Sequence, residues 1–295
     1  MPLIIPEQIP AYQFLQKSAF VMGAERAIHQ DIRPLEVLII NLMPTKIETE
    51  NQILSLLANS PLQVNITLLT TQSYIGKNTP QSHLDRFYVN FEDINGRNFD
   101  GAIVTGAPIE HLAYEEVKYW DELVGIMSYL RCHCTSTLYL CWGAMAGLYY
   151  FHRIDKISLP QKLFGIFDHY VCEDDVLLSG LDEVVRIPHS RHSGIDELAL
   201  ARKNDLKVLL RGEQSGTSML RDSQDVFILG HPEYTKETLY NEYQRDLSKG
   251  LSIESPQNYF NTHGQIVFSW RSSASVIFSN WLNFSVYQDT PFILH

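Results

Sequence analysis

Apolar residues alternate in the first half of the chain between short continuous runs and helix-like repeats. Residues 36–42 and 64–69 are apolar runs typical of buried strands. Between them, Thr45 and Glu48 have the spacing of a capping box, which predicts a helix from about Thr45 to residues 59–61. The apolar face of this helix would carry Ile53, Leu56 and Leu57. Together the three segments predict a βαβ unit.

The same alternation continues to residue 151. Residues 100–106 predict a third strand, and the helix after it has large apolar residues at helical spacing, namely Val117, Trp120, Val124 and Met127. Residues 137–140 predict a fourth strand that stops at Cys141, and residues 143–151 predict a helix rich in small residues. Strands that alternate with helices in this way predict an α/β fold with a mostly parallel sheet covered on both faces.

The pattern is weaker after residue 155. Further strands are predicted at residues 184–187, 207–210 and 226–229. Residues 235–248 predict a helix with Gly250 at the C′ position, and residues 274–286 predict a closing helix. Because no low-complexity linker interrupts the chain, we expect one domain over residues 1–295.

Charge and composition narrow the class of protein. The formal net charge of −11 and the lack of any basic block argue against binding to nucleic acid or to an anionic membrane surface. The longest apolar run, residues 138–151, is shorter than the roughly 18 residues that a bilayer span needs. The first basic residue is Lys17, so a signal peptide is not expected, and we predict a cytoplasmic protein.

The chain has four cysteines, too few for the disulfide framework of a small secreted protein. Cys132 and Cys134 flank His133, but no second pair of ligands follows at zinc spacing, so no metal site is expected.

Chemically capable residues follow several of the predicted strands. Lys46 follows the first strand, Glu110 the third and Cys141 the fourth, and His231 and Glu233 follow residues 226–229. Ligands of open α/β sheets bind beyond the carboxyl ends of the strands. We therefore interpret these residues as one shared site, against the alternative that they are unrelated surface residues.

Cys141 is the strongest candidate in this group. A cysteine between a strand and a helix of small residues resembles a nucleophile elbow, where the amides of the helix N-terminus stabilise a thiolate and the Trp142 N–H can act as an oxyanion donor. His231 could exchange the proton of the thiol, and Glu233 could orient the imidazole. The alternatives are a buried cysteine that acts only as a small apolar residue, and a loop histidine without a catalytic role.

Several ordered motifs closely resemble the homoserine O-acyltransferases of the MetA family, and the resemblance runs from about Ile5 to Pro291. These motifs are NLMPTKIETE at residues 41–50, TGAP at 105–108, CWGA at 141–144, PHSR at 188–191, GHPEY at 230–234 and NWLN at 280–283. The resemblance implies a class I glutamine-amidotransferase-like fold. It also implies an acyl-CoA donor, an amino-acid hydroxyl as acceptor, and a role in methionine or cysteine biosynthesis.

The resemblance also implies roles for single residues. Cys141 matches the nucleophile that forms an acyl-thioester, His231 matches the general base and Glu233 matches its partner. Lys46 would lie near the oxyanion or the donor.

Three further positions match residues that hold substrate in the family, namely Lys162, Ser190 and Arg245. Arg245 is suited to binding the carboxylate of the acceptor with two hydrogen bonds. Glu110 matches the position associated with the choice of acyl donor, where Glu accompanies acetyl and Gly accompanies succinyl. In the motif of residues 188–191, Ser190 and Arg191 either bind an anionic substrate or simply end a strand.

The main hypothesis is transfer of an acetyl group from acetyl-CoA to the hydroxyl of L-homoserine, with no further cofactor. Two departures from the family pattern, Met145 where Gln is usual and Ser273 where His is usual, leave serine open as the acceptor. Homoserine O-succinyltransferase is a third alternative, and a glutamine amidotransferase and a non-catalytic binding protein on the same fold are two others. A homodimer is suggested by the resemblance alone.

Overall fold

The computed structural model describes residues 3–15, 21–23, 33–73 and 78–290, so Pro291, where the resemblance ends, lies outside the described residues. The elements of the first part are β1 (Leu3–Ile4), α1 (Pro10–Leu15), β2 (Val21–Met22), β3 (Leu35–Ile40), α2 (Lys46–Leu57), β4 (Val64–Leu69), α3 (Gln81–Phe87), β5 (Tyr88–Val89) and β6 (Phe99–Val104).

The second part begins with helix α4 (Trp120–His133). It continues with β7 (Cys134–Leu140), α5 (Trp142–His152), β8 (Lys156–Val171), β9 (Val184–Ile195), α6 (Glu197–Leu200), β10 (Lys207–Gly212), β11 (Gly216–Arg221), β12 (Asp225–Ile228), α7 (Thr238–Ser248) and α8 (Arg271–Asn280). A π-helical segment, Trp281–Tyr287, follows α8 directly.

In the described part of the chain, twelve strands form one sheet. The order is β2-β1-β4-β3-β6-β7-β12-β11-β10-β8-β9, and β5 pairs with β4 outside this path. Neighbouring strands are parallel from β2 to β12. From β12 to β9 they are antiparallel. The predicted α/β class with a mostly parallel sheet is therefore confirmed, whereas the antiparallel part was not predicted.

Successive residues of the central strands enter different apolar clusters. Val37 and Ile39 belong to one cluster, and Leu38 and Ile40 belong to another. Because successive side chains of a strand point to opposite faces, these clusters are the cores on the two sides of the sheet. Helices α2 and α8 pack on the first side and α4 and α5 pack on the second, which confirms the prediction that helices cover both faces.

Helix α2 begins where it was predicted but for a different reason. Thr45 occupies the N-cap position, yet its side chain makes no capping hydrogen bond, so the predicted capping box is wrong. Instead, the Lys46 N–H donates to the hydroxyl of Thr79, 3.3 Å away, which satisfies one of the unpaired amides of the first turn.

Other boundaries also differ from the prediction. Val117 lies ahead of α4, after a 3-10 turn at Tyr114–Glu116, and the predicted closing helix changes from α to π geometry after Asn280. The largest omission is β8, whose pairing with β9 shifts in register between Ser158 and Leu163. Pro160 lies within this shift, where a proline does not break the ladder of hydrogen bonds. Because a proline in a sequence ordinarily argues against a strand, the pattern did not predict β8.

None of the helices in the described ranges has the length and apolarity to cross a bilayer.

Candidate active site

Strands β3, β6, β7 and β12 lie side by side and parallel, so their carboxyl ends share one edge of the sheet. A cavity of about 530 Å³ opens at this edge. Six residues expected from the sequence to form the site line this cavity: Glu110, Cys141, Lys162, Ser190, His231 and Arg245. The structure thus brings together residues that are far apart in the sequence, and their individual roles stay predictions.

Cys141 occupies the turn between β7 and α5. Its backbone has φ 48° and ψ −114°, a conformation that is strained for any residue with a Cβ. Two backbone hydrogen bonds fix this conformation. The Cys141 N–H donates to the Ile228 carbonyl at 2.7 Å, and the Cys141 carbonyl accepts from the Met145 N–H at 3.1 Å. The thiol therefore stands at a sharp turn, as the elbow interpretation predicts.

The first residue of α5 is Trp142, so its N–H has no carbonyl of its own helix to bond. One residue later, a Cβ on Gly143 would lie 2.6 Å from the Thr105 carbonyl oxygen, so only glycine allows α5 to approach the end of β6 this closely. A Cβ on Gly106 would lie 3.3 Å from the Cβ of Cys141. Gly106 therefore leaves space beside Cys141, and Gly143 lets α5 pack against the end of β6.

His231 is oriented from two directions. Its Nδ1 lies 2.7 Å from Oε1 of Glu233, and its ring stacks on Tyr234 with 4.1 Å between ring centroids. Burial lowers the pKa of His231, but the charges and hydrogen bonds of Cys141 and Glu233 outweigh burial and raise the pKa well above its usual value. The arrangement therefore favours the protonated form of His231 beside Cys141.

Two of the expected substrate-binding residues share one carboxylate. Lys162 Nζ lies 3.3 Å from Oδ2 of Asp246, and Arg245 Nε donates to Oδ1 of the same residue at 2.9 Å. A second carboxylate, Glu242, accepts hydrogen bonds from Ser190 at 2.6 Å and from Tyr234 at 2.8 Å.

Sequence reasoning missed Glu242 and Asp246. With Arg245 on helix α7 and Lys249 directly after its end, they line the cavity at positions i, i+3, i+4 and i+7. This polar stripe at helical spacing is their one local signal, and it does not distinguish a face toward solvent from a face toward a cavity.

Glu110 follows strand β6 and is hydrogen-bonded to strand β9 across the cavity wall. Its two carboxylate oxygens accept the backbone N–H groups of His192, at 2.7 Å, and Ser193, at 2.9 Å. A carboxylate held in this way places a fixed negative charge at the cavity wall.

Lys46 lies in a second, smaller cavity of about 230 Å³, which shares Met43, Pro44, Ala107 and Pro108 with the larger one. Its ammonium donates to the Asn41 carbonyl and lies 5.5 Å from the centroid of the Tyr88 ring. Burial lowers the pKa of Lys46 to about 8, against the raising effect of Glu50. Its expected place near the oxyanion or the donor stays a prediction.

The residues that depart from the family pattern lie in different surroundings. Met145 is buried in the apolar cluster beside α5, and Ser273 is partly buried in the first turn of α8. Arg191 is buried below the cavity wall, because alternation along β9 turns its two neighbours, Ser190 and His192, toward the cavity. Of the two alternatives for Arg191, direct binding of an anionic substrate is therefore not supported, and the end of a strand is wrong, because β9 continues to Ile195.

Within the described ranges, no group of three or more His, Cys, Asp or Glu side chains could hold a metal ion.

Solved structures with a similar fold include glutamine amidotransferases. One from Thermotoga maritima has a TM-score of 0.61 at 10% identity and covers 87% of this chain and 100% of its own. Another from Methylobacillus flagellatus has a TM-score of 0.56 at 10% identity, over 86% of this chain and 95% of its own. At this level of identity the likeness concerns the fold, and it confirms the expected glutamine-amidotransferase-like architecture.

Relatives with clear sequence similarity are known as homoserine O-acetyltransferases. The protein from Campylobacter jejuni is 58% identical over 297 residues, which cover 100% of both chains. The protein from Bacillus subtilis is 48% identical over 298 residues, which cover 99% of both chains. The family model for homoserine O-succinyltransferase matches residues 2–292. The chain therefore belongs to the homoserine O-succinyltransferase family of acyltransferases.

Proposed function

We propose that the protein transfers an acetyl group from acetyl-CoA to the hydroxyl of L-homoserine, a step of methionine biosynthesis, through a thioester on Cys141. The observation that carries this proposal is the paired Cys141 and His231 in a cavity that also presents Arg245 and Lys162. The similarity to homoserine O-acetyltransferases over the whole chain supports the same activity.

The first half of the reaction forms the acyl-enzyme. The Cys141 thiolate attacks the carbonyl carbon of acetyl-CoA, and the Trp142 N–H is placed to donate to the oxyanion. When the intermediate collapses, the carbon–sulfur bond to CoA breaks and the CoA thiolate takes the proton of the His231 imidazolium. His231 is then neutral, and Cys141 carries the acetyl group.

The second half transfers the acetyl group. The homoserine hydroxyl gives its proton to neutral His231 and attacks the thioester, and the Cys141 thiolate leaves. The imidazolium and thiolate are restored, because the hydroxyl proton of homoserine replaces the proton that left His231 with CoA. Glu233 holds the ring in one orientation through its 2.7 Å contact to Nδ1.

Glu110 favours acetyl over succinyl as the transferred group. A succinyl carboxylate about 4 Å from the Glu110 carboxylate would be repelled by about 4 kcal/mol at an effective dielectric constant near 20. We expect Glu110→Gly to shift donor preference toward succinyl-CoA, as measured by kcat/KM for both donors. A wild-type preference for succinyl-CoA would contradict this part of the proposal.

Serine stays the alternative acceptor, because a pocket distinguishes one methylene group by only about 1–3 kcal/mol. Arg245 would bind the α-carboxylate of either amino acid. Side-by-side kinetics with homoserine and serine decide between them, and we expect the higher kcat/KM for homoserine. A cytoplasmic location and a homodimer belong to this proposal as expectations from the sequence.

The decisive experiment is intact mass spectrometry after mixing the protein with acetyl-CoA alone. We expect one added acetyl group and stoichiometric free CoA in wild type, and neither in Cys141→Ala. The matched control is Cys172→Ala, which removes an exposed cysteine and should keep the adduct. An adduct that persists in Cys141→Ala would overturn the proposal, and hydrolysis of glutamine in place of acetyl transfer would favour an amidotransferase.

A further inference from the structure

A third cavity, of about 510 Å³, lies next to strand β8 and adjoins the main cavity, the one that contains Cys141. The two cavities are continuous, because they share the wall residues Lys162, His192, Asp246 and Leu251. We call the part of the third cavity beyond these shared residues the outer groove. Its walls come from β8 and from residues 252–257.

One wall of the outer groove is an irregular segment that is held against β8. Residues 251–256 have no regular secondary structure, but the segment pairs with β8 at its end. The Gln257 N–H donates to the Phe164 carbonyl at 2.9 Å, and the Ile166 N–H donates to the Gln257 carbonyl at 2.9 Å. Gly165 lies between these bonds with φ 143°, and a Cβ there would collide with the backbone of Gln257. Backbone contacts that only glycine allows therefore fix this wall.

The other wall is shaped by the register shift between β8 and β9. The shift places residues 159–162 of β8 opposite the single residue His192 of β9. A bulge of this kind bends a strand and redirects its side chains. Gln161 and Lys162, which belong to the bulge, line the third cavity. Because backbone pairing holds both walls, the outer groove has the character of a pre-formed site.

The walls of the outer groove are mainly neutral. Of the described residues that line this groove alone, only Glu254 is charged. Phe164 and Ile253 supply apolar surface. The neutral polar side chains, which can donate and accept hydrogen bonds, are Gln161, Ser252, Ser255 and Gln257. These four residues are exposed, so the groove opens to solvent. Such walls suit a long uncharged ligand that carries amide or hydroxyl groups.

The passage between the two cavities also suits a neutral ligand. Lys162 Nζ and Asp246 Oδ2 form an ion pair there, 3.3 Å apart, so their charges largely cancel. Leu251 lies at the same passage and is 54% exposed, although it is a large apolar residue on a cavity wall. A ligand that lies across the passage would remove this apolar surface from water, which favours binding.

We propose that the outer groove binds the pantetheine arm of the acyl-CoA donor. This arm is extended and uncharged and carries two amides and a hydroxyl, so its chemistry matches the walls of the groove. The thioester end reaches Cys141 through the main cavity, whose volume of about 530 Å³ suits one ligand of drug size rather than the whole of acetyl-CoA. The inference rests on acetyl-CoA being the donor of the proposed function.

Other placements of the donor fit less well. The second cavity, of about 230 Å³, is less than half as large, and there the arm would face the buried ammonium of Lys46. The nucleotide end of CoA carries phosphate charges, which Glu254 would repel inside the outer groove. We therefore place the arm in the outer groove and the nucleotide beyond it, at the surface.

The test compares acetyl-CoA with S-acetyl-N-acetylcysteamine, a truncated thioester with the same reacting end but without the nucleotide and most of the arm. Ser255→Trp adds a bulky side chain to the wall of the outer groove. We expect the ratio of kcat/KM for acetyl-CoA to kcat/KM for the truncated thioester to fall about tenfold or more, because only the longer donor has to pass the new ring. Damage to the main cavity would lower both values and leave the ratio unchanged.

Ser223→Trp is the matched control. Ser223 is also an exposed serine on the wall of a cavity, of about 520 Å³, but it precedes β12 and so lies at the edge of the sheet opposite Cys141. This variant should keep the ratio of wild type. A second measurement involves no reaction, namely the binding of CoA to Cys141→Ala by isothermal titration calorimetry. We expect Ser255→Trp in that background to raise the Kd about tenfold or more.

An unchanged ratio in folded Ser255→Trp would overturn the proposal, as would a fall of equal size in Ser223→Trp or an unchanged Kd for CoA. If Ser255→Trp does not fold, Ser252→Trp on the same wall makes the same test. If no acetyl adduct forms with either donor, the proposed function is contradicted, whereas a raised Kd for CoA would still support the groove. An adduct in wild type together with an unchanged ratio would contradict the groove and leave the proposed function standing.

Discussion

Replacing His169 by Gln should change how the stability of the protein depends on pH. His169 is fully buried, and burial lowers its pKa from 6.5 to about 4 in the folded protein. In the unfolded chain the ring takes up a proton near pH 6.5, but in the folded chain it does so only near pH 4. A folded-state pKa below the unfolded value means that stability is present above pH 6.5 and is lost as the pH falls toward 4.

The size of the loss follows from the shift. As the pH falls from 7.5 to 5.0, His169 takes up most of a proton in the unfolded state but very little in the folded state. This difference lowers the free energy of unfolding of wild type by about 2 kcal/mol. His169→Gln cannot titrate in this range. The variant should be less stable than wild type at pH 7.5, because it loses the 3.1 Å hydrogen bond between Nδ1 of His169 and the Val185 carbonyl. This difference should shrink by about 2 kcal/mol at pH 5.0.

The assay is urea unfolding of wild type and His169→Gln at pH 7.5 and pH 5.0, followed by circular dichroism. His192→Gln is a suitable control, because His192 is an exposed histidine on the neighbouring strand β9 and its removal should leave the pH dependence as in wild type. If the free energies of unfolding of wild type and His169→Gln fall in parallel between the two pH values, the neutral state of His169 is refuted.

Gly106→Ala would place a methyl group 3.3 Å from the Cβ of Cys141. We therefore expect kcat to fall about tenfold or more while the melting temperature changes by only a few degrees. An unchanged kcat would contradict the close approach. Arg245→Ala should lower kcat/KM for homoserine and serine by similar factors, whereas a loss with only one of them would exclude a shared carboxylate anchor. Burial, with Asp222 adding to it, raises the pKa of Asp225 to about 7. Because the folded-state pKa is raised, the contribution of Asp225 to the stability of wild type is lost as the pH rises from about 4 to 7. In urea unfolding, Asp225→Asn should therefore gain up to about 4 kcal/mol relative to wild type over that range. Equal pH dependence of the free energy of unfolding in both proteins would refute the shift.

The fold was predictable where each element has its own pattern. Apolar runs located β3, β4, β6 and β7 because buried parallel strands need apolar residues on both faces. Strand β8 was missed because it contains Pro160, which a strand tolerates only where the pairing allows it. Here the register of β8 against β9 shifts around Pro160, and this pairing cannot be read from the local sequence. The change from α to π geometry begins at Trp281, which packs in the core, and no local pattern predicts it.

The site was predictable as far as strand ends determine it. Cys141, Glu110 and His231 follow neighbouring strands, so topology alone brings them to one edge of the sheet. The carboxylates of Glu242 and Asp246 were missed because a polar residue on an amphipathic helix looks the same whether it faces solvent or a cavity. Their tertiary surroundings, which depend on where α7 packs, are not encoded in any short segment.

The sheet changes from parallel to antiparallel at β12, and this change separates two kinds of contribution to the cavity. Cys141 and His231 extend from parallel strands, whereas Lys162 and Ser190 lie on the antiparallel pair β8 and β9. A duplicated gene could therefore diverge in substrate by changes along residues 156–195 while it inherits the reacting pair unaltered. The hydrogen bond of 2.8 Å from the His231 N–H to the Pro188 carbonyl links the two parts, as do the bonds from Glu110 to the backbone of β9, so such changes would have to preserve these links.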